Sequence, residues 1–255
     1  MKIGIVSNLY PPDARGGAEL VAQRIACALY ERGHEVFVLT TQPFDGMQSL
    51  FPTLRERTVE SVYRFYPANY YYLRFDKSVP FPLRAAWHLV DLFNPFSRAA
   101  IRRVITKEKP DVVITHNLKG IGVSIGSEIQ KLGIPHIHTL HDIQLSVPSG
   151  LLIYGKEDNL QNRPFLRWFY EKTVERELGR PNLILSPSRF LKDFYRSRAM
   201  FESSRFEILP NPLPSTGVSI RLSDSSPGPT RFLFAGQLEN SKGIETMLDA
   251  FDGLD

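Results

Sequence analysis

Short, continuously apolar runs that alternate with helix-spaced segments constrain this chain more than any other feature. Ile3, Ile5 and Val6 make the first run, Val36, Phe37, Val38 and Leu39 the second. Between them lie a turn-rich loop with Pro11, Pro12, Gly16 and Gly17, then Val21, Ile25, Ala28 and Leu29 at helical spacing, closed by Gly33. A strand with no polar alternation is buried on both faces, which calls for a parallel sheet with helices on each side. The pattern therefore predicts an α/β, Rossmann-like fold.

The same rhythm returns after residue 110. Apolar strands are expected at 112–115, 136–140, 183–185 and 206–209, with helices at 120–132 and 163–179 and a third capped by Ser188. Residues 60–109 depart from it. They hold one expected strand at 59–65, a tyrosine-rich cluster and two amphipathic helical patterns. Leu83, Trp87 and Val90 line one; Ile101, Val104 and Ile105 line the other. The Pro-, Ser- and Gly-rich stretch 210–229 reads as a linker, after which 231–235 opens a new strand and 243–251 a helix. The expected organisation is a first domain at 1–209, with a variable aromatic and basic insertion at 60–109. A linker follows at 210–229, and 230–255 starts a second, truncated Rossmann-like domain.

Composition narrows the functional classes. The single cysteine, Cys27, excludes a disulfide framework and a cysteine-based zinc site. No run approaches a membrane span, and the amino terminus enters a strand pattern without a signal-peptide block, so a cytoplasmic protein is expected. The net charge is +4, yet residues 55–109 alone hold eleven Lys/Arg against five Asp/Glu. Clustered charge of that kind attracts phosphate or anionic lipid, and Trp87, Arg98, Arg102 and Arg103 are the candidates for an acceptor- or membrane-facing surface. No nucleic-acid partner is expected.

The candidate site residues stand at strand ends. Gly16 and Gly17 open a helix after the first strand, where backbone N–H groups can meet a phosphate or sugar. A dinucleotide fold is disfavoured: no G-x-G-x-x-G is present, and the second strand ends in Thr40-Thr41-Gln42 without an acidic ribose ligand. The pairs His116-Asn117 and His141-Asp142 each follow an apolar run, which puts both at the carboxyl edge of the sheet. His136 and His138 alternate inside a strand and are expected to pack. Lys242, at the mouth of the last helix, suits a diphosphate.

Taken in order, MKIGIVSNLYPPDARGGAEL, RGHEVFVLTT, KPDVVITHN, GIPHIHTLHD, ILSPSRFLKDFY, EILPNP and FAGQLENSKGIETMLDAF resemble the family-4 retaining glycosyltransferases. The resemblance implies the GT-B arrangement: an acceptor-side domain and a donor-side domain facing a cleft. It further implies sugar transfer from a nucleoside-diphosphate sugar to a glycan, lipid-linked or small-molecule acceptor, with retention of configuration and no required metal or other cofactor. On this reading Gly17 lies against the donor diphosphate or the acceptor, His141 approaches the transferred sugar, Asp142 orients its neighbours, and Lys242 stabilises the leaving diphosphate. Gln237 stands where the family usually has arginine, and the family's glutamate motif would lie beyond Asp255. The resemblance thus implies a fragment that is inactive alone. Two other readings remain: a non-catalytic acceptor- or membrane-docking module, and a nucleotide-sugar epimerase of the same architecture.

Overall fold

A computed structural model describes residues 1–14, 16–57, 60–150, 163–213, 231–236, 238 and 242–252. Among the described residues, eight strands form one sheet in the order β3-β4-β2-β1-β5-β6-β7-β8. Seven pair in parallel: β1 Lys2–Val6, β2 Glu35–Thr41, β4 Ser61–Phe65, β5 Val112–Thr115, β6 His136–Thr139, β7 Leu183–Ser186 and β8 Arg205–Ile208. Strand β3, Thr53–Arg57, runs antiparallel to β4 at the edge. It was not anticipated, because an edge strand needs only one paired side and carries no apolar run. The helices are α1 Gly17–Glu31, α2 Phe81–Phe93, α3 Pro95–Glu108, α4 Ile125–Lys131, α5 Pro164–Leu178, α6 Arg189–Arg196 and α7 Ile244–Asp252.

Both faces of the sheet are buried, as continuous apolar strands require. The period of two sends Val36 and Val38 of β2 to one face, where they meet Ile5, Ala22 and Ala26 of β1 and α1. Phe37 and Leu39 point the other way into a larger cluster with Ile101, Val104 and Ile105 of α3 and Val174 and Leu178 of α5. At Gly4 a Cβ would lie 2.6 Å from the Phe37 ring, so only a hydrogen fits beneath that aromatic. Gly126 does the same for helix packing, since a Cβ there would stand 2.5 Å from the Leu178 carbonyl.

Several expectations change. The helix expected at 120–132 begins only at Ile125, because Gly120 and Gly122 adopt φ of +90° and +102° and turn the chain first. Ser188 does cap α6, its Oγ accepting from the Leu191 N–H at 3.2 Å. Residues 231–235 carry no strand, and α7 buries none of its side chains. Of the expected linker, 214–229 lies outside the described residues; the Pro212 carbonyl accepts from Arg24 at 2.9 Å.

The insertion is corrected most. Trp87 is 1% exposed, stacks on Tyr71 at 5.4 Å and donates its Nε1–H to the Tyr71 carbonyl at 2.8 Å. It is an anchor of α2 and not a membrane-facing residue. Arg98 pairs with Glu177 of α5, and Arg102 with Glu128 of α4, both carboxylates being nearly buried. These two guanidinium groups hold α3 against its neighbours, where a carboxylate left without its partner would be costly. Arg103 is exposed and lies over the Phe51 ring at 5.7 Å. Trp87→Ala should therefore destabilise the fold by about 3–5 kcal/mol, the usual cost of emptying a large aromatic site. Denaturant unfolding followed by circular dichroism measures it, and a change under about 1 kcal/mol would contradict the buried placement.

Candidate functional site

The site lies where the chain order of the strands reverses. From β1 the sheet grows through β2 and β4 on one side and through β5 to β8 on the other. Loops leaving the carboxyl ends of β1 and β5 must therefore part in opposite directions, which opens a crevice there. Backbone bonds continue past the strands and hold this edge. The His116 N–H donates to the Val6 carbonyl at 2.8 Å, and the Asn8 N–H to the Asn117 carbonyl at 3.0 Å. The Asn8 side chain, buried and unnoticed in the sequence, donates to the Lys119 carbonyl at 2.9 Å.

The two sequence-predicted pairs come together. His116 Nδ1 and His141 Nε2 are 3.0 Å apart, with ring centroids 5.3 Å apart and tilted by 30°. One nitrogen must donate and the other accept, so at most one of the two rings can be charged. Burial disfavours charge on either: it holds His116 well below its ordinary pKa, with the facing His141 adding to the shift, and lowers His141 to about 4. Asp142 is pushed up to about 6 by burial, against the opposing pull of the Gln144 N–H, which donates to its Oδ1 at 2.8 Å.

The loop after β6 is fastened by two tyrosines from different helices. Tyr195 of α6 donates its hydroxyl to the Asp142 carbonyl at 2.9 Å, and Tyr170 of α5 donates to the Gln144 carbonyl at 3.0 Å. With the loop held, His116, Asn117, His138, His141 and Asp142 line a pocket that is partly open to solvent. His88 and Asp91 of α2 close one side, and Asp91 Oδ2 accepts from the Gly120 N–H at 2.9 Å. His138, His88 and Asp91 were missed as site residues. For His138 the sequence signal was the period of two that puts it on one face with His136; its pairing with Thr115 comes only from the parallel register.

The other candidates are not gathered here. Gly16 precedes α1 and donates its N–H to Glu19 Oε2 at 2.9 Å, so that carboxylate already occupies one donor of the helix end. A Cβ at Gly17 would meet nothing within 4 Å, which leaves its backbone open to approach. Neither glycine lines the pocket, nor does the exposed Lys242. Gln237 lies outside the described residues. Among the described residues, no three His, Cys, Asp or Glu side chains converge on a metal-sized position, and no helix is long and apolar enough to cross a membrane.

Comparison with known proteins now places the chain. Residues 15–215 match the family Glycosyltransferase Family 4, and the chain belongs to that family. It is 28% identical over 247 residues to an uncharacterized 42.6 kDa protein in the cps region of Klebsiella pneumoniae, covering 96% of this chain and 63% of that protein. Among solved structures, trehalose-6-phosphate synthase (OtsA) superposes with a TM-score of 0.52 at 11% identity, over 84% of this chain and 50% of that one. Arabidopsis thaliana UGT89C1 complexed with UDP-L-rhamnose gives 0.48 at 15% identity, over 89% and 55%. With the family match, the trehalose-6-phosphate synthase superposition gives the fold as the GT-B N-terminal type. This chain spans about half to two thirds of the length of these relatives.

The buried imidazoles make stability pH-dependent. An unfolded histidine protonates near pH 6.5, whereas His141 does so at about 4 and His136 at about 3. Their contribution is complete above about pH 6.5 and is lost as the pH falls, because only the unfolded chain takes up protons there. Asp142 acts oppositely: its raised pKa favours the folded state below about 6, a single group against four depressed histidines. Melting temperature should fall steadily between about pH 7 and about pH 5. A flat profile over that range would contradict the burial of the cluster.

Proposed function

We propose that this family-4 chain is the acceptor-side portion of a glycosyltransferase that moves a sugar from a nucleoside-diphosphate sugar to a glycan or lipid-linked acceptor with retention of configuration. The observation that carries the reading is the histidine-lined pocket at the carboxyl edge of β5 and β6, in a chain of this family. Neutral imidazoles and an amide suit hydroxyl groups, since they offer both donors and acceptors without fixing a charge. In the reaction the bond from the anomeric carbon to the diphosphate breaks, a bond to an acceptor hydroxyl oxygen forms on the same face, and the hydroxyl's proton passes to the departing diphosphate oxygen. His141 is proposed to bind the sugar hydroxyls with His116 behind it, while Asn117 and Asp142 orient the ring. Charge growing on the leaving diphosphate is assigned to Lys242 and the open backbone at Gly17, with Gln237 adding an uncharged hydrogen bond. No metal is needed in this scheme.

The donor pocket is proposed to be completed by residues beyond Asp255. The 255-residue chain should then transfer no sugar and bind nucleotide sugars only weakly; micromolar binding measured by calorimetry would refute this division. In the longer enzyme, Lys242→Ala should cut turnover about a hundredfold or more, and His141→Ala should lower it with the fold retained. Wild-type kinetics in either folded variant would remove that residue from the site.

The acceptor-facing lip is proposed to be the first turns of α5. This helix starts on the site edge of the sheet and exposes Phe165, Trp168 and Phe169 by 73%, 54% and 61%, beside the exposed Arg163. Exposed aromatics beside basic groups suit the interface of an anionic membrane carrying a lipid-linked acceptor, where each basic residue contributes about 1 kcal/mol at low salt. Co-sedimentation with anionic vesicles should weaken with salt and drop in Trp168→Ser. Indifference to such vesicles at low salt would leave a soluble acceptor.

A further inference from the structure

Beyond the two polar pairs, the pocket holds a group whose hydrogen position the structure settles. We propose that His138 is a sugar-binding residue: a one-directional chain from Gln130 through His136 and Thr115 fixes its Nε2–H as a donor facing the pocket. The proposal rests on the pocket's being a sugar site.

The chain begins at an amide that can stand only one way. Gln130 Oε1 accepts from the Arg180 N–H at 2.7 Å, and Gln130 Nε2 donates to the Leu178 carbonyl at 3.0 Å. Backbone groups do not exchange roles, so the amide's nitrogen and oxygen are assigned by its partners. Its second N–H meets His136 Nδ1 at 2.9 Å, and that nitrogen must accept. The buried His136 ring is neutral and carries its one hydrogen on Nε2. That N–H lies 2.7 Å from Thr115 Oγ1 and donates to it.

The threonine hydroxyl has one hydrogen left to place. His138 Nδ1 is 2.8 Å away, and the competing Ile137 carbonyl is 3.4 Å away. The hydroxyl therefore donates to His138 Nδ1. Burial keeps this ring neutral as well, the neighbouring histidines reinforcing the effect, so its hydrogen sits on Nε2. Among the described residues no group accepts that N–H, and the ring lines the pocket beside His116 and His141. A neutral, immobile donor of this kind fits an uncharged oxygen such as a sugar hydroxyl. Thr115, His136 and Gln130 are positioning residues, since each acts only through the next.

Long-range proton–nitrogen correlation spectra of the imidazoles in the 255-residue chain test the proposal. His136 and His138 should both appear as neutral Nε2–H tautomers. Thr115→Val, which keeps the shape and removes the hydroxyl, should turn His138 into a tautomer mixture, and Thr115→Ser should restore it. An Nδ1–H or mixed His138 in the wild-type chain, or no response to Thr115→Val in a folded chain, would overturn the inference and leave the proposed function standing. The methyl α-glycosides of glucose, mannose and galactose at high concentration are the ligand probes. Shifts at His138 together with His141 support the role. Shifts at His141 alone would exclude His138 from the sugar site, and silence at both would sink the sugar reading with it.

Discussion

A parallel sheet covered on both faces has no water to satisfy polar side chains, so their partners must come from within the protein. This constraint governs the centre of the molecule. Thr115 ends β5, His136 and His138 stand in β6, and each is almost wholly buried. Their bonds run across the β5–β6 register, where Thr115 faces His138, and out to Gln130 on α4 and the end of α5. A slip of β6 by one residue would turn both histidines to the opposite face and strand the polar atoms they meet. The polar chain therefore acts on register as well as on the pocket it leads to.

The pocket follows from the same architecture. Helices cover the faces, so the open ground is the carboxyl edge, and the strand-order reversal at β1 and β5 parts the loops there. Low dielectric is the price of that position, and the groups answer it differently. The histidines go neutral and pair ring to ring, while Asp142 takes a backbone N–H and has its pKa raised by burial. Two tyrosine hydroxyls from separate helices hold the loop carbonyls, so the site is set by several elements at once.

The insertion shows how one sequence pattern serves two physical ends. An amphipathic helix with arginines beside its apolar stripe can lie on a membrane or on a core. Here the neighbours decide. Trp87 finds Tyr71 and a backbone carbonyl, and Arg98 and Arg102 find nearly buried carboxylates on α5 and α4. Helix α5, marked in the sequence only as a helix, carries the exposed Phe165, Trp168 and Phe169 at its start.

Some of this was determined by the sequence alone. Continuous apolar runs with helices between them leave a doubly covered parallel sheet as the solution, and the polar pairs after two such runs had to stand at its carboxyl edge. Ordered motifs over most of the chain pointed to the family that residues 15–215 match. Other features were decided only by tertiary structure. Pairing of His116 with His141, burial of Trp87 and capture of Arg98 and Arg102 depend on residues 25 to 79 positions away, or on a packed neighbour that periodicity does not name. His138 is the clearest case. Its place inside a strand was legible, but its hydrogen's direction depends on a glutamine held by two backbone groups near residue 180, and local pattern carries no record of such a distant partner.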